Sequence, residues 1–420
     1  PSLIPPSGSF HYQPGAVVTA WSSFAWDSTR HDLLLWGGGH ASHSGNEMYI
    51  WDGSTGAWTR GSLPSKVLPA TAAGQPNLII DNAAPQASHT YNSNQYLPIN
   101  DRFITFGGPA YNDARGFSVL DGSGNIVRAG PWMYDPSKAD PTKVGGTNGS
   151  GWNPATQGGN MWQNRAPMAT GAAPGYFINN TAEYHQENGH DVVYITDYNG
   201  GGGWPNLYRY IVANPGTSET DRWELVGVTS YAHNAASFQA AGTIDNAHNL
   251  YVHTVSCYTC SAYDLNVWDI TKSGVGNAAV DIQLVGPQGQ AFTMDQTYSV
   301  QYSDRDGGLY LYNGDQGKVY RTQVAFNPDG SLKTVWEVDL LGSVTAAHPK
   351  GNYVYGVVGK WQYVDELGAL VALDEMSNGD ASVWLYKIAD LSAPVPEPGV
   401  WAMLLAGLGL MGLRLKRLRP

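Results

Sequence analysis

Short apolar strands separated by glycine-rich turns recur along this chain. In residues 22–60, the second strand covers residues 33–36 and is followed by Gly37 and Gly38, and the third strand ends at Asp52 before a Gly-Ser-Thr-Gly turn. Glycine permits the backbone bends that such turns need, and strands joined by short turns pair with their neighbours in sequence. Residues 22–60 are therefore predicted to form a four-stranded antiparallel meander.

The pattern returns at intervals of roughly 45 to 60 residues, which is the size of one β-propeller blade. A second copy has a strand at residues 103–106, then Gly107 and Gly108, then a strand at residues 117–120. Weaker copies are centred on residues 192–195, 250–253, 309–312 and 353–356. We therefore predict an all-β fold in which residues 1–392 form a single β-propeller of six four-stranded blades.

Residues 131–180 form an irregular stretch rich in Gly, Asn and Pro. It is too long for an ordinary connection, so it is either an insertion that covers one face or a seventh blade. A TIM barrel would need helices that alternate with the strands, and the sequence lacks them. Two sandwiches would leave the repeat length unexplained.

The first copy resembles the repeats of kelch-type propellers. In that family a Gly-Gly pair closes the second strand, as Gly37 and Gly38 do here, and two aromatic residues follow at a set distance, as Trp51 and Trp58 do. The resemblance implies a kelch-like propeller, a fold shared with galactose oxidase and its relatives. The second copy also has the Gly-Gly pair, at Gly107 and Gly108, and the copies after it lack the pair at this position.

The composition fits a turn-rich and aromatic-rich β protein, with 51 Gly, 25 Pro, 15 Trp and 25 Tyr beside 14% charged residues. The formal net charge of −12 disfavours nucleic acid or anionic lipid as a partner, and it favours a neutral or cationic one. Cys257 and Cys260 are flanked by strand-like segments. The pair is therefore a candidate disulfide, with free thiols and a redox or metal role left open.

The C-terminal segment, residues 393–420, has three parts with different physical properties. Prolines 396 and 398 flank Glu397 and block continuation of a helix from the body. An apolar stretch follows, and a transmembrane helix at about residues 399–415 would extend for roughly 27 Å, enough for a thin bilayer core. Its membrane-facing residues include Trp401, Leu404, Leu405, Gly407, Leu408, Gly409, Leu410 and Leu413.

A basic cluster closes the chain. By the positive-inside rule this cluster stays in the cytoplasm, so the body is predicted to lie outside the cell. The basic residues are Arg414, Lys416, Arg417 and Arg419.

This segment resembles the PEP-CTERM sorting signal, with Pro396, Glu397 and Pro398, a following Trp401 and terminal arginines. The resemblance implies export, transient retention in the inner membrane, and processing by an exosortase in a Gram-negative bacterium that makes exopolysaccharide. The body would then reach the cell surface or the extracellular matrix.

In a propeller the first strand of each blade lines the central channel, and several histidines lie near the expected first strands or in a second-to-third loop. Their positions place them near one mouth, where they would ligate a metal, contact a glycan, or serve only as structural residues. The candidates, with two aromatic neighbours, are His40, His43, His89, His185, His233, His348, Tyr184 and Trp204.

Two kinds of catalytic site match part of this sequence. Tyr184 and His185 resemble the adjacent Tyr-His ligands of copper radical oxidases, but those enzymes crosslink a lone cysteine to a tyrosine, and here the two cysteines are close in sequence. A glycosidase needs two carboxylates at the mouth, and Glu183, Glu187 and Asp295 lie near first strands. The turn at residues 304–308 lacks a full calcium-loop pattern and reads as an ordinary turn.

The sequence therefore predicts an exported, non-catalytic propeller that binds glycan or a surface protein, with no cofactor, metal or nucleic acid. The alternative is an exported enzyme at the channel mouth, either copper radical oxidase-like or glycan-acting. That alternative predicts a convergent metal or carboxylate cluster.

Overall fold

Antiparallel strands joined in sequence order make up nearly all the regular structure of this protein. The chain divides into two compact units, Pro1–Tyr386 and Lys387–Pro420, and of the second only Lys387 and Ile388 are described. The computed structural model describes residues 14–38, 45–65, 67–68, 78–79, 83–108, 116–120, 123, 125–147, 158–197, 205–229, 240–255, 264–295, 297–343, 347–351, 356–376 and 379–388.

The first two sheets each have four strands. The first is a meander in sequence order: β1 (Ser23–Asp27), β2 (Asp32–Trp36), β3 (Tyr49–Asp52) and β4 (Ala57–Arg60). The second sheet contains β7 (Gln95–Leu97), β8 (Arg102–Thr105), β11 (Trp132–Tyr134) and β12 (Trp162–Asn164).

Two short antiparallel pairs are separate from this sheet. They are β5 (Val67–Leu68) with β6 (Leu78–Ile79), and β9 (Phe117–Leu120) with β10 (Ile126–Ala129).

The third sheet has five strands, because a short strand adds to its outer edge in parallel. Its members are β13 (Ala169–Thr170), β14 (Ala182–Glu187), β15 (His190–Thr196), β16 (Leu207–Ile211) and β17 (Asp221–Gly227).

A nine-stranded sheet follows, in which two four-stranded meanders join through parallel pairing of their outer strands, β21 with β26. The first meander contains β18 (Gly242–Asp245), β19 (Leu250–Thr254), β20 (Leu265–Asp269) and β21 (Val280–Gly286), to which β22 (Gln290–Ala291) adds. The second contains β23 (Tyr298–Ser303), β24 (Gly308–Asn313), β25 (Lys318–Thr322) and β26 (Val335–Ser343).

The last sheet has three strands and lies beside the short helix α1 (Pro14–Thr19). Its members are β27 (Trp361–Val364), β28 (Ala369–Glu375) and β29 (Ala381–Lys387). Four short 3-10 turns complete the described elements: Pro136–Lys138, Ala166–Met168, Pro287–Gly289 and Asp365–Leu367.

Apolar side chains fill the spaces between successive sheets. Trp36 and Trp132, for example, belong to one cluster between the first and second sheets. Another cluster joins Phe24 and Leu35 of the first sheet to Val371 of the last, which brings the two ends of the series together. Face-to-face packing of consecutive meanders, with four sheets of at least four strands, makes this an all-β, propeller-like fold.

The strands predicted in the first copy of the repeat, residues 22–60, agree with β1 to β4 almost residue for residue. The predicted Gly-Gly steps have a packing role: Gly38 donates its backbone N–H to the Ser88 carbonyl at 2.9 Å, and a side chain at Gly108 would collide with the His89 carbonyl. Both pairs therefore pack against the segment that leads into β7.

The second copy of the repeat differs from its sequence-based prediction. Residues 117–120 form β9 of a separate hairpin. The strand β8 pairs with β7 on one side and, on the other, with β11, which comes from the stretch expected to be irregular. Phe117 packs at the base of the hairpin, close to Gly107 and Gly130, where a side chain would crowd its ring. Residues 131–180 thus also supply blade strands, which a pattern without clear alternation did not indicate.

Two further predictions fall partly or wholly outside the described residues. The strand expected at 353–356 has only Gly356 described, and the middle strand of the last sheet is β28. The predicted membrane helix and its flanking prolines and arginines lie outside as well. Within the described ranges, no helix is both long enough and apolar enough to cross a bilayer.

Candidate functional site

The first strands of the successive meanders, β1, β7, β14, β18, β23 and β27, lie next to one another in that order. Phe24 of β1 donates its N–H to the carbonyl of Gly359, just before β27, and this bond joins the first and last members of the series. Ala182 of β14 donates its N–H to the carbonyl of Asn92, just before β7, and so joins two neighbours. We call the end where these strands begin the entry end and the end where they finish the exit end.

A cavity of about 380 Å³ lies at the exit end. Four of the first strands, β14, β18, β23 and β27, contribute to it with the residues that directly follow them. It is lined by Glu183, Tyr184, His185, Gln186, Thr243, Ile244, Asn246, Gln301, Tyr302, Asp304, Tyr363 and Asp365.

The lining has an exposed rim and a deeper floor. Asn246, Asp304 and Asp365 are exposed and come immediately after the ends of β18, β23 and β27. Thr243 and Gln301 lie within their strands and are only 2% and 4% exposed. The floor is therefore fixed by sheet pairing, and the rim is carried on the tight turns that follow.

Hydrogen bonds connect the rim residues of three neighbouring meanders, which belong to two sheets. Asn246 Nδ2 donates to both oxygens of Asp304 at 3.1 Å, and Asn246 Oδ1 lies 3.1 Å from Nδ1 of His185. Because the amide holds a carboxylate on one side and an imidazole on the other, the three groups are oriented together.

A second set of hydrogen bonds organises the floor. Gln301 Nε2 donates to Oε2 of Glu183 at 3.4 Å, and Gln301 Oε1 accepts the backbone N–H of Tyr363 at 3.1 Å. The buried amide thus connects β14, β23 and β27.

Burial changes the acidity of the floor. Part of the Glu183 side chain is accessible from the cavity, but protein surrounds its carboxyl group, and this burial raises the pKa of Glu183 to about 8. The negative charge of Asp304 acts in the same direction, and the hydrogen bond from Gln301 opposes it. Glu183 is therefore mostly protonated at neutral pH and can donate a proton.

Tyrosines complete the lining and stay neutral. Burial raises the pKa of Tyr302 to about 12 and that of Tyr184 still further, and it also raises the pKa of Tyr363. Rings, amides and carboxyl groups that converge in one cavity can stack on a sugar ring and exchange hydrogen bonds with its hydroxyls.

The entry end is built differently in its described part. Lys360 is 2% exposed, and its Nζ donates to the carbonyls of Ser22 at 2.7 Å and Val358 at 3.1 Å. Burial lowers the pKa of Lys360 to about 7. Asn94 Nδ2 donates at 2.8 Å to the carbonyls of both Ser23 and Trp36.

The histidines predicted to share one mouth lie in different surroundings where the structure describes them. His89 lies at the entry end, 4.6 Å from Trp21 between ring centroids. His185 and Tyr184 line the exit-end cavity, and His348 lines a separate pocket. His40, His43, His233 and Trp204, like Cys257 and Cys260, are outside the described residues. Among those the structure does describe, no three His, Cys, Asp or Glu side chains converge as metal ligands.

The separate pocket, of about 320 Å³, lies between the meander β23 to β26 and the last sheet. Tyr312 and Trp361 stack in it with ring centroids 4.6 Å apart and planes 21° apart. Most of its other lining is apolar, including Val319, Ala372 and Leu385.

The sequence pattern indicates Glu183, Tyr184 and His185 as candidates near a first strand, and the structure places all three in the lining of this cavity. It does not identify the polar residues that the later sheets contribute. Asn246, Asp304 and Asp365 each follow the end of a first strand, and this repeated polar position was the available signal. This repeated position is hard to recognise in the sequence because the copies of the repeat resemble one another only weakly.

Comparison with solved structures gives low sequence identities and TM-scores below 0.5, over most of this chain. An α-L-arabinanase of Penicillium chrysogenum is 12% identical, with 89% of this chain and 96% of that chain covered and a TM-score of 0.44. A GH93 α-L-arabinofuranosidase of Fusarium graminearum is 13% identical, with 88% and 92% covered and a TM-score of 0.44. An auxiliary nutrient binding protein from Bacteroides thetaiotaomicron is 13% identical, with 84% and 65% covered and a TM-score of 0.35.

No curated protein matches the chain. Its C-terminal segment does match a family model, the PEP-CTERM protein-sorting motif, over residues 394–419. This confirms the sequence-based recognition of the tail, since the match covers Pro396, Glu397, Pro398 and the basic cluster. The chain therefore carries a PEP-CTERM sorting motif, which indicates export and cell-surface sorting by an exosortase at the membrane.

Proposed function

We propose that this protein is an exported propeller that binds a glycan in the cavity at the exit end of its first strands. The observation that carries the proposal is the convergence of tyrosines, amides and carboxyl groups from four strands in one cavity. The PEP-CTERM motif supports it, because it brings the body to a place where surface and matrix glycans occur.

The body is proposed to have six blades, with the three-stranded last sheet as the sixth. Six first strands in contact with their neighbours, and the apolar cluster between the first and last sheets, support this count. The tail is proposed to span the membrane transiently at about residues 399–415 before exosortase processing, in a Gram-negative envelope. A kelch-type ancestry remains a prediction from Gly37, Gly38, Trp51 and Trp58.

The binding proposal is tested on a glycan array with the full-length chain in mild detergent at physiological salt. Tyr363→Ala removes a ring from the cavity, and Tyr386→Ala removes a ring from the separate apolar pocket as a matched control. Binding that is lost in Tyr363→Ala and kept in Tyr386→Ala supports the proposal. Absence of binding to any glycan, or equal loss in both variants, would overturn it.

A second candidate function, glycan hydrolysis, is favoured by one observation: a protonated Glu183 shares the cavity with the exposed carboxylate of Asp304. Glu183 would protonate the glycosidic oxygen as the C–O bond breaks, and Asp304 would take a proton from the attacking water. Release of reducing ends from a bound glycan would establish this function, and Glu183→Gln should abolish the release while binding persists. Binding without any turnover would leave the protein a lectin-like receptor.

A further inference from the structure

The charged groups of the exit-end cavity are unequal in number. Three of its lining residues carry carboxyl groups, Glu183, Asp304 and Asp365, and His185 is the one basic side chain among those that the structure describes there. No lysine or arginine is part of this described lining. The cavity is therefore a locally acidic site within a chain that is itself acidic.

The partners of these carboxyl groups are neutral. Asp304 accepts hydrogen bonds from the Asn246 amide, Asp365 accepts one from the Tyr363 hydroxyl at 3.2 Å, and Glu183 accepts one from the Gln301 amide. Across the described chain, none of the three forms an ion pair, although most of the other acidic groups at the exit end do, such as Asp101 with Arg30 and Asp306 with Arg321.

The resulting repulsion is felt inside the site. The charge of Asp304 makes ionisation of Glu183 less favourable, and no cation in the lining offsets it. A positive group placed between the two would relieve that repulsion and favour the ionised form of Glu183. An acidic sugar would add to the repulsion, and a neutral sugar would leave it unchanged.

Resting on the proposed glycan binding, we propose that the cavity selects glycans with free amino groups, such as chains of deacetylated amino sugars. The protonated amine lies between the carboxyl groups of Glu183 and Asp304, where its charge favours the ionised form of Glu183, and the ring of the same sugar lies against Tyr363. A glycan whose amines are acetylated has no positive charge to offer and fits this site less well.

The test compares three tetrasaccharides of the same β-1,4 linkage by calorimetry on the full-length chain: glucosamine, N-acetylglucosamine and glucose. At about pH 6 the free amines are protonated. We expect the glucosamine tetramer to bind at least about ten-fold more tightly than the other two. Asp304→Asn should reduce that preference by about ten-fold, and Asp365→Asn should reduce it less.

A matched control separates this site from general attraction to an acidic protein. Asp329 lies in an exposed turn between β25 and β26, so Asp329→Asn changes the net charge equally without touching the cavity. It should leave the preference intact.

Two results would overturn the amine selectivity while glycan binding stands: equal affinity for the three tetramers, or equal effects of Asp304→Asn and Asp329→Asn. A chain that binds none of the three and no glycan on the array would instead refute the proposed function itself.

Discussion

The two ends of the first strands solve different problems with similar residue types. At the entry end, Asn94 and Lys360 are buried, and their donors are used on backbone carbonyls of neighbouring strands. At the exit end, Asn246 and Asp304 are exposed, and they bond to each other around an open cavity. A polar group beside a first strand therefore joins neighbouring strands at the entry end, whereas at the exit end it lies exposed at the edge of the cavity.

The largest expected change in stability at a fixed, neutral pH comes from Asn94→Ala. The substitution leaves the buried carbonyls of Ser23 and Trp36 without their donor, so we expect a loss of about 2–3 kcal/mol in the free energy of unfolding. Urea denaturation of the full-length chain measures it. A loss below about 0.5 kcal/mol would show that the entry end is not held by this amide.

Lys360→Met should change how stability depends on pH. The pKa of Lys360 is about 7 in the folded protein, and its ordinary value, which applies to the unfolded chain, is 10.5. Between these two pH values the unfolded state therefore holds one more proton than the folded state. In the wild type this lysine makes stability rise with pH across that window, by up to about 1.4 kcal/mol per pH unit. The variant should lack this rise, as measured by denaturation at several pH values. Identical pH profiles would mean that the ammonium is not buried.

Glu183→Gln, at the exit end, should change the pH dependence of stability in the opposite direction. The pKa of Glu183 is raised from 4.5 to about 8, so the folded state holds the extra proton between these values. Its contribution is fully present below pH 4.5 and is lost as the pH rises through 8, by up to about 1 kcal/mol per pH unit because the site is partly accessible to water. The variant should be less sensitive to pH in this window. A steeper profile for the variant would contradict the assignment.

The smallest change in stability is expected for Asn246→Ala, the counterpart of Asn94→Ala. Because Asn246 is exposed and its partners remain hydrated, the free energy of unfolding should change by less than about 0.5 kcal/mol. Glycan binding should weaken, since Asp304 and His185 lose the amide that orients them. A stability loss as large as that of Asn94→Ala would erase the distinction between the two ends.

The sequence predicted the strands better than the site. Apolar runs bounded by glycine turns located β1 to β4 and the second strands β8, β15, β19 and β24, because strand pairing imposes a local pattern. They did not locate β28 of the last sheet. The cavity depends on residues such as Glu183, Asn246 and Asp304, which are about 60 residues apart in sequence and meet only because consecutive meanders pack side by side. No local pattern encodes that meeting.

The histidine hypothesis shows the same limit. The rule that first strands line a common channel placed His89 and His185 together, yet position along the strand decides which end a side chain reaches. His185 lies late in β14 and His89 precedes β7, so the two belong to opposite ends. The sequence pattern can assign a residue to a blade, but its position along the strand decides whether it lies at the entry end or the exit end.

The contact between the first and last sheets has a consequence for how the chain matures. Trp26 Nε1 donates to Glu366 at 2.8 Å across 340 residues of sequence, and Phe24 and Leu35 pack against Val371 beside it. Since ribosomes make the N-terminus first, the apolar face of β1 and β2 stays exposed until the strands of the last sheet have been synthesised and can pack against it. Such distant pairing is slow, and we expect newly made molecules to depend on chaperones until the final strands arrive.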